Sequence, residues 1–374
     1  MIYPPREDSF LLAKYVAKLA RGRVLDVGTG SGIQAEAAAA RKAVKSVLAV
    51  DVDPAVVAHC RQNVAAKKIS CVHSDLFARV TGQFDTIIFN PPYLPQELPE
   101  RDIALEGGKQ GYETTVRFLE QTNAHLATDG QILLLFSSLT NKNRVEEAIA
   151  QQLFVFKELE RIHIFFEDLF VYRITKSQLL QRIENAGVKQ LSYLARGKRS
   201  WVFKGDYRGK ECVVKVKRAD SEANAPPKEG KVLKMVNKLG IGPKLFLAAK
   251  DFAVYQFIKG TYFEDALKKA SKTEKKTLFR KLFAQAFVLD QAGLAKEEML
   301  RPLKNALVTP SGKLVLIDFE RTHRVGKPHN VTQVCTFAVK QGIASMKVMQ
   351  HTAKHYKTSP TKANFNALLK DMNL

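Results

Sequence analysis

The 374-residue chain has only four cysteines, Cys60, Cys71, Cys212 and Cys335, and no two of them stand in a CxxC pair. That spacing excludes the common zinc and thiol-exchange motifs and predicts four reduced, buried packing residues, with no cysteine-held metal. Long hydrophobic runs are lacking too. The longest apolar stretches, such as the five residues 132–136, are strand-sized and too short for a bilayer. The start, MIYPPREDSF, carries no apolar signal-type segment, so a soluble, cytoplasmic protein is expected. There is no internal repeat and no low-complexity tract.

Acidic residues are scarce in one half only. Residues 1–176 hold 21 Lys and Arg against 21 Asp and Glu. That leaves 38 of the 59 basic and 16 of the 37 acidic residues in 177–374, which therefore carries the entire net charge of +22. After Glu320 the only acid is Asp371. Such an asymmetry divides the chain into two domains, 1–176 and 177–374, with different partners. The basic half points first to nucleic acid or another polyanion.

The first half alternates strand and helix patterns. Val24-Leu25-Asp26-Val27 is followed by an alanine-rich helix from Ile33, Ser46-Val47-Leu48-Ala49-Val50 by a helix from Pro54, and then comes a strand over 84–89. This is a βαβαβ pattern and predicts a parallel, doubly wound sheet. Two further strands are expected, at 131–136 and 165–172. The second half is strand-rich over 188–220, with a loop at 223–227 and a helix from Lys228. Helices follow over 264–291, a strand over 313–319, and a basic helical tail from Val331.

Four features fall at the carboxyl ends of the predicted parallel strands, where such sheets bind ligands. Asp26-Val27-Gly28-Thr29-Gly30-Ser31-Gly32 opens a helix with a glycine turn that lets a ligand approach the backbone. Asp51, about twenty residues on, is placed to accept both hydroxyls of a ribose, and no basic residue beside it welcomes a 2′-phosphate. Asp75, in Ser74-Asp75-Leu76-Phe77, falls where an adenine amine is received. The fourth strand then delivers Asn90-Pro91-Pro92-Tyr93. Together they predict a Rossmann-like α/β methyltransferase domain that binds S-adenosyl-L-methionine (AdoMet).

Asn-Pro-Pro-Tyr suits a planar NH₂ group, whose lone pair is delocalised and poorly nucleophilic. The Asn90 side-chain oxygen and the Pro91 carbonyl can each accept one N–H, while the prolines stiffen the turn and Tyr93 offers a ring face. The motif does not separate a glutamine amide from an adenine amine.

On these residues the first half resembles the HemK/PrmC-type methyltransferases, in their short archaeal and eukaryotic branch. Tyr3-Pro4-Pro5-Arg6-Glu7-Asp8-Ser9-Phe10-Leu11-Leu12 is similar to that branch's start, and Leu105-Glu106-Gly107-Gly108-Lys109-Gln110-Gly111 to its GG-x-x-G segment. The resemblance implies methylation of the glutamine side chain in the GGQ motif of a class 1 peptide chain release factor, in translation termination. It also implies a small zinc-binding activator of the Trm family; some members are credited instead with lysine or DNA adenine. Its cofactor contacts carry over to Asp26, Gly28, Thr29, Gly30, Ser31, Gly32, Asp51, Asp75 or Leu76, and Asn90, and its substrate contacts to Asn90, Pro91, Pro92 and Tyr93.

The second half resembles RIO-like atypical kinases, which implies an α+β protein-kinase-like domain binding Mg-ATP. The likeness rests on the glycine turn Ala195-Arg196-Gly197, Lys215 in Glu211-Cys212-Val213-Val214-Lys215, Glu229 in the next helix, Gly240-Ile241-Gly242-Pro243-Lys244, and Asp318 in Leu316-Ile317-Asp318-Phe319-Glu320 as a Mg²⁺ ligand. The chain departs from that pattern in the segment Lys296-Glu297-Glu298-Met299-Leu300-Arg301-Pro302-Leu303-Lys304-Asn305. Glu298 stands in place of the expected aspartate, and Asn305 or Lys304 takes the metal side. Phosphotransfer, nucleotide binding alone, and a basic RNA- or ribosome-docking surface all remain open for this half.

Overall fold

The computed structural model describes residues 3–63, 67–96, 106–218 and 225–374. Its contacts divide the chain into two units, Met1–Tyr193 and Leu194–Leu374. Among the described residues no helix is long and apolar enough to cross a membrane.

The first unit runs α1 (Glu7–Leu19), β1 (Gly22–Val27), α2 (Ile33–Ala39), β2 (Val44–Asp51), α3 (Pro54–Asn63), β3 (Ile69–His73), β4 (Phe84–Phe89), β5 (Leu94–Pro95), β6 (Glu106–Gly108), α4 (Glu113–Thr122), β7 (Leu126–Ser137), α5 (Lys142–Gln151), β8 (Phe154–Ile164), β9 (Glu167–Lys176) and α6 (Gln178–Asn185). Seven strands form one sheet in the order β3-β2-β1-β4-β7-β9-β8. The pairs β2–β3, β1–β2, β1–β4 and β4–β7 are parallel, while β9 runs antiparallel to both β7 and β8. This is a Rossmann-like methyltransferase fold.

The central strands are apolar on both faces because helices cover both. Val24, Leu25, Ile87, Ile88, Leu133 and Leu134 are all fully buried. The outermost strand β8 (FVFKELERIHI) exposes a run of charges, which keeps its free edge from pairing with another chain. In the register Val27 lies beside Val50 and Phe89, and Val50 beside Val72. The residues that follow β1, β2, β3 and β4 therefore meet along one carboxyl edge.

Four sequence expectations are corrected here. Cys60 and Cys71 are joined in a disulfide between α3 and β3, so only Cys212 and Cys335 are free, both buried. Phe165 and Phe166 do not begin a strand but form the turn between β8 and β9, and β8 itself has no period-two pattern by which to recognise it. Pro227 lies in the first turn of a helix, not in a loop, a position where a proline's missing N–H costs nothing. Finally α6, read from composition as the start of the second domain, packs with the first unit. The Lys176 ammonium lies 2.8 Å from Glu184, the Ser177 N–H donates to the Leu153 carbonyl at 3.1 Å, and Gln181 donates to the Thr128 carbonyl.

The second unit is reached through β10 (Val188–Arg196). It contains β11 (Ser200–Tyr207), β12 (Glu211–Lys217), α7 (Ala225–Asn237), β13 (Leu245–Ala248), β14 (Phe252–Gln256), β15 (Thr261–Tyr262), α8 (Phe263–Lys269), α9 (Lys272–Gln291), β16 (Leu294–Lys296), β17 (Ala306–Val308), β18 (Leu314–Leu316), β19 (Thr322–Arg324), α10 (Asn330–Lys340), α11 (Met346–Thr358) and α12 (Lys362–Asp371). A five-stranded sheet ordered β10-β11-β12-β14-β13 carries α7, and the remainder is mainly helical. Its core gathers on α9, where Phe279, Leu282, Phe283, Ala286 and Leu289 are fully buried. That helix starts at a reciprocal cap, with the Ser271 hydroxyl accepting from the Glu274 N–H and Glu274 accepting from the Ser271 N–H.

Candidate active site

At the carboxyl edge of the first sheet, Gly28, Gly30 and Gly32 all have positive φ, +63°, +54° and +86°. A side chain at any of them is strained, which is why this turn is built from glycine. Asp26 sits beneath it, fully buried and accepting the Thr29 hydroxyl at 2.7 Å. Burial raises its carboxyl to about 7, against the opposing effect of the Thr29 bond. Asp51 closes β2, with Oδ2 accepting the Gly30 N–H at 3.1 Å and Oδ1 the Asp53 N–H at 3.0 Å. Burial raises its pKa as well. The glycine turn is thus pinned to the end of the neighbouring strand.

Asp75 is half-exposed, and both of its oxygens are held by Arg117 of α4, at 2.8 and 3.0 Å. Leu76 beside it is buried with φ +46°, and its carbonyl accepts the Ser74 hydroxyl at 2.9 Å. Of the two candidates offered by the sequence, the acid is therefore already ion-paired. Ser31, in the same turn, completes the cofactor residues named from sequence.

Asn90 follows β4, and here the structure adds a residue that sequence reasoning gave no role. The Asn90 amide donates from Nδ2 to Asp8 Oδ2 at 2.8 Å, and Asp8 is only 4% exposed at the start of α1. An ionised carboxylate only accepts, so the NH₂ of Asn90 is turned to Asp8 and its oxygen faces the other way. That oxygen is buried and has no hydrogen-bond partner. The other Asp8 oxygen receives the Tyr3 and Ser9 hydroxyls at 3.4 and 3.3 Å. Burial, with Asp8 adding to it, pushes the Tyr3 hydroxyl up to about 12; burial likewise raises Tyr93. The signal available in sequence was the acid within the Pro-Pro-Arg-Glu-Asp-Ser start, but its partner is 82 positions away.

The glycines after Asn-Pro-Pro-Tyr serve that motif's backbone. β5 and β6 pair in parallel, laying 106–108 along 94–95. A Cβ on Gly107 would sit 2.5 Å from the Pro92 carbonyl and 2.1 Å from that of Gly111, and one on Gly111 would sit 2.5 Å from the Tyr93 carbonyl. Only glycine permits the two strands to approach so closely. Leu105, quoted above in this segment, lies outside the described residues.

In the second unit the structure brings together residues far apart in sequence. Lys215 of β12 lies 2.9 Å from Glu229 of α7 and 2.8 Å from Asp318, which follows β18. Burial alone would lower the Lys215 ammonium, but Glu229, Tyr255 and Asp318 outweigh it and raise it well above the ordinary value. Burial would raise Asp318, but Lys215 outweighs it and holds the carboxyl below its usual range. Asp318 is a non-glycine residue at φ +59°. Asn305 adjoins it, its carbonyl accepting the Ile317 N–H at 2.8 Å. Glu298 is 3.1 Å from Lys296, whose fully buried ammonium also donates to the Asp318 carbonyl; burial lowers the pKa of Lys296.

The fold and the carboxyl-edge site define the first unit as an AdoMet-dependent methyltransferase, an enzyme class. Residues 7–165 match the family model of the methyltransferase small domain. A putative protein N5-glutamine methyltransferase of Methanocaldococcus jannaschii is 36% identical over 177 residues, 46% of this chain and 89% of the relative. The chain belongs to this family, the HemK-type methyltransferases. Release factor glutamine methyltransferases of Deinococcus radiodurans and Escherichia coli are 31% and 33% identical over 147 and 146 residues; these stretches are 36% and 35% of this chain. The chain spans about half of these two relatives, 53% of each. Among solved structures, one described as an "E. cuniculi Mtq2-Trm112 complex", for methylation of the eRF1 translation termination factor, is 25% identical. The match covers 47% of this chain and 98% of that one, at a TM-score of 0.39.

The residues present fit AdoMet. The left-handed glycine turn bares its backbone, and Asp51 stands at the end of the next strand, where a ribose is received.

Proposed function

We propose that the first unit methylates the side-chain amide of a glutamine, in the GGQ motif of a class 1 peptide chain release factor. The observation that carries this reading is the buried, unpartnered Asn90 oxygen, whose amide is fixed by Asp8. A primary amide supplies the missing donor. One of its N–H groups goes to Asn90 Oδ1 and the other to the Pro91 carbonyl, holding the nitrogen in one orientation and stabilising the positive charge that grows on it. AdoMet, when bound, supplies an electrophilic sulfonium methyl. Tyr93 flanks the planar group, and its raised pKa keeps the hydroxyl protonated. No strong base is required, because the amide N–H becomes acidic only as the new N–C bond forms and then passes to water. The glutamine assignment of the relatives named above supports the choice of amide over adenine or lysine, as does the absence of net charge on residues 1–176. Acting on a release factor implies a cytoplasmic protein, and the family resemblance adds a small zinc-binding Trm-family activator as partner.

The test is transfer of tritiated methyl from AdoMet to a release factor with its GGQ glutamine intact or changed to alanine, beside duplex and single-stranded DNA, with and without such an activator. Label on the intact factor alone supports the reading. Label on DNA, or on the alanine variant, overturns it. Replacing Asn90 by Ala should cut transfer by about a hundredfold or more while AdoMet still binds.

For the second unit a specific observation favours a kinase-like, Mg-ATP-binding reading. Lys215, clamped between Glu229 and Asp318, is a buried ammonium suited to phosphate oxygens, and Asp318 and Asn305 adjoin for a Mg²⁺ ion. Glu298, which lies 3.1 Å from the Lys296 ammonium, would receive a hydroxyl proton if phosphoryl transfer occurs. The 38 basic residues of 177–374 would serve RNA or ribosome contact.

A further inference from the structure

The first unit exposes three phenylalanines beside the site just described. Phe10 of α1 is 60% exposed, and Phe165 and Phe166 in the β8–β9 turn are 83% and 96% exposed. Single exposed apolar residues are ordinary, but two aromatics on one depression with a third next to them in the chain are not. That depression, of about 470 Å³, is lined by Pro5, Arg6, Glu7, Phe10 and Phe165. Phe165 is held at φ +48°, a conformation bulky residues rarely adopt.

The patch is continuous with the catalytic motif. Tyr93 packs in the same apolar cluster as Leu11 and Leu12 of α1 and Ile162 and Ile164 of β8. Glu167, directly after Phe166, is near enough to contribute to the raised pKa of Tyr93. The turn at 138–140 packs against both β5 and β9, and the Ser138 hydroxyl accepts the Asp168 N–H at 3.0 Å. Asp8, which orients Asn90, lies between Glu7 and the two helix residues that precede Leu11.

We infer that Phe10, Phe165 and Phe166 form the docking surface for a polypeptide segment of the substrate protein that flanks the methylated side chain. This rests on the methylation site proposed above and adds how its substrate is recognised. Charge separates a polypeptide from a nucleic acid, since exposed rings alone would also stack bases. Asp8 is buried and Asp168 is paired with Arg161 and His163, so the charges left around the patch are Glu7 and Glu167 against Arg6. A patch with no surplus of positive charge offers a phosphate backbone no counter-charge and suits a neutral or basic peptide. Exposed aromatic anchors are also what protein interfaces use as their central contacts.

The experiment compares the full chain with its Phe165→Ala/Phe166→Ala variant, using an intact release factor as substrate. The expected result is a KM for the factor raised at least tenfold, with kcat within twofold and AdoMet affinity by calorimetry unchanged. The unchanged cofactor affinity shows that the fold survives. Methylation of the factor with an unaltered KM overturns this inference and leaves the glutamine reading standing. A chain that does not methylate the factor either alone or with the activator present, or that labels DNA, defeats both. If the unmodified chain is a dimer that the variant converts to a monomer without change in KM, a second copy covers the patch and the inference is overturned.

Discussion

The Asp8–Asn90 bond gives a graded prediction that separates orientation from mere contact. Asp8 is buried, accepts from Asn90 at 2.8 Å, and is the reason the Asn90 oxygen faces away from it. A hydrogen bond to a charged acceptor contributes about 1.5–3 kcal/mol and a neutral one about 0.5–1.5 kcal/mol. In Asp8→Asn a carbonyl oxygen can still face Asn90, with the new NH₂ turned to the Tyr3 and Ser9 hydroxyls. The loss is then about 1 to 1.5 kcal/mol, or roughly five- to tenfold in kcat. In Asp8→Ala the Asn90 NH₂ has no acceptor and its amide is free to rotate, so about 2 to 2.7 kcal/mol is lost, roughly thirty- to a hundredfold in kcat. The assay is single-turnover methyl transfer at saturating AdoMet, with cofactor affinity measured separately. Two results would refute the reasoning: equal rates for Asp8→Ala and the unmodified chain, or a loss confined to AdoMet affinity, which would make Asp8 a cofactor residue rather than the residue that orients Asn90.

Three further perturbations test other parts of the structure. Gly107→Ala forces a Cβ to within 2.5 Å of the Pro92 carbonyl. It should cost about 1–3 kcal/mol of stability and displace the Asn-Pro-Pro-Tyr turn, lowering kcat as well as the urea midpoint; a neutral outcome would mean β6 does not brace the motif. Asp26, raised to about 7, keeps a proton in the folded state that the unfolded chain releases near 4. Its contribution is therefore fully present at low pH and is lost as pH rises from about 4 to 7, amounting to about 4 kcal/mol at most. Asp26→Asn should remove that part of the stability–pH slope, and identical slopes in urea titrations of the two chains would count against a neutral Asp26. Asp318→Ala should weaken Mg-ATP binding by the full chain at least tenfold, as read by calorimetry, and unchanged affinity would sink the nucleotide reading of Lys215, Glu229 and Asp318.

The parts of the fold legible in the sequence were those where one local rule decides. Val24, Leu25 and Val27 could be read as a doubly buried parallel strand because nothing polar but Asp26 interrupts them, and a strand followed by a glycine turn can only deliver its acid and glycines to the carboxyl edge. What was not legible depends on pairing at a distance. β8, with seven of its eleven residues polar, charged or exposed on an unpaired edge, gives no period of its own, and its strand character comes from its ladder with β9. Without β8, Phe165 and Phe166 look like the start of a buried strand, when they are the most exposed aromatics beside the site. Likewise α6 reads as part of the basic half by composition, while the buried Lys176–Glu184 pair ties it to the first unit. Composition assigns charge to a stretch of chain, but only tertiary contacts assign the stretch to a core.

The same distinction explains why the catalytic motif was recognised and its support was not. Asn90, Pro91, Pro92 and Tyr93 are contiguous, so the chemistry of two acceptors facing one planar amine follows from four letters. Their precision comes from elsewhere: Asp8 turns the Asn90 amide, and Gly107 and Gly111 let β6 lie against the turn's carbonyls. A group that accepts one proton-bearing nitrogen has to be held within a few tenths of an ångström to act in the transition state, and a four-residue turn does not hold itself so closely. The start of the chain and the glycine segment after the turn therefore belong to the site as much as the motif does, and substitutions there should lower kcat without touching any residue that meets the methyl donor.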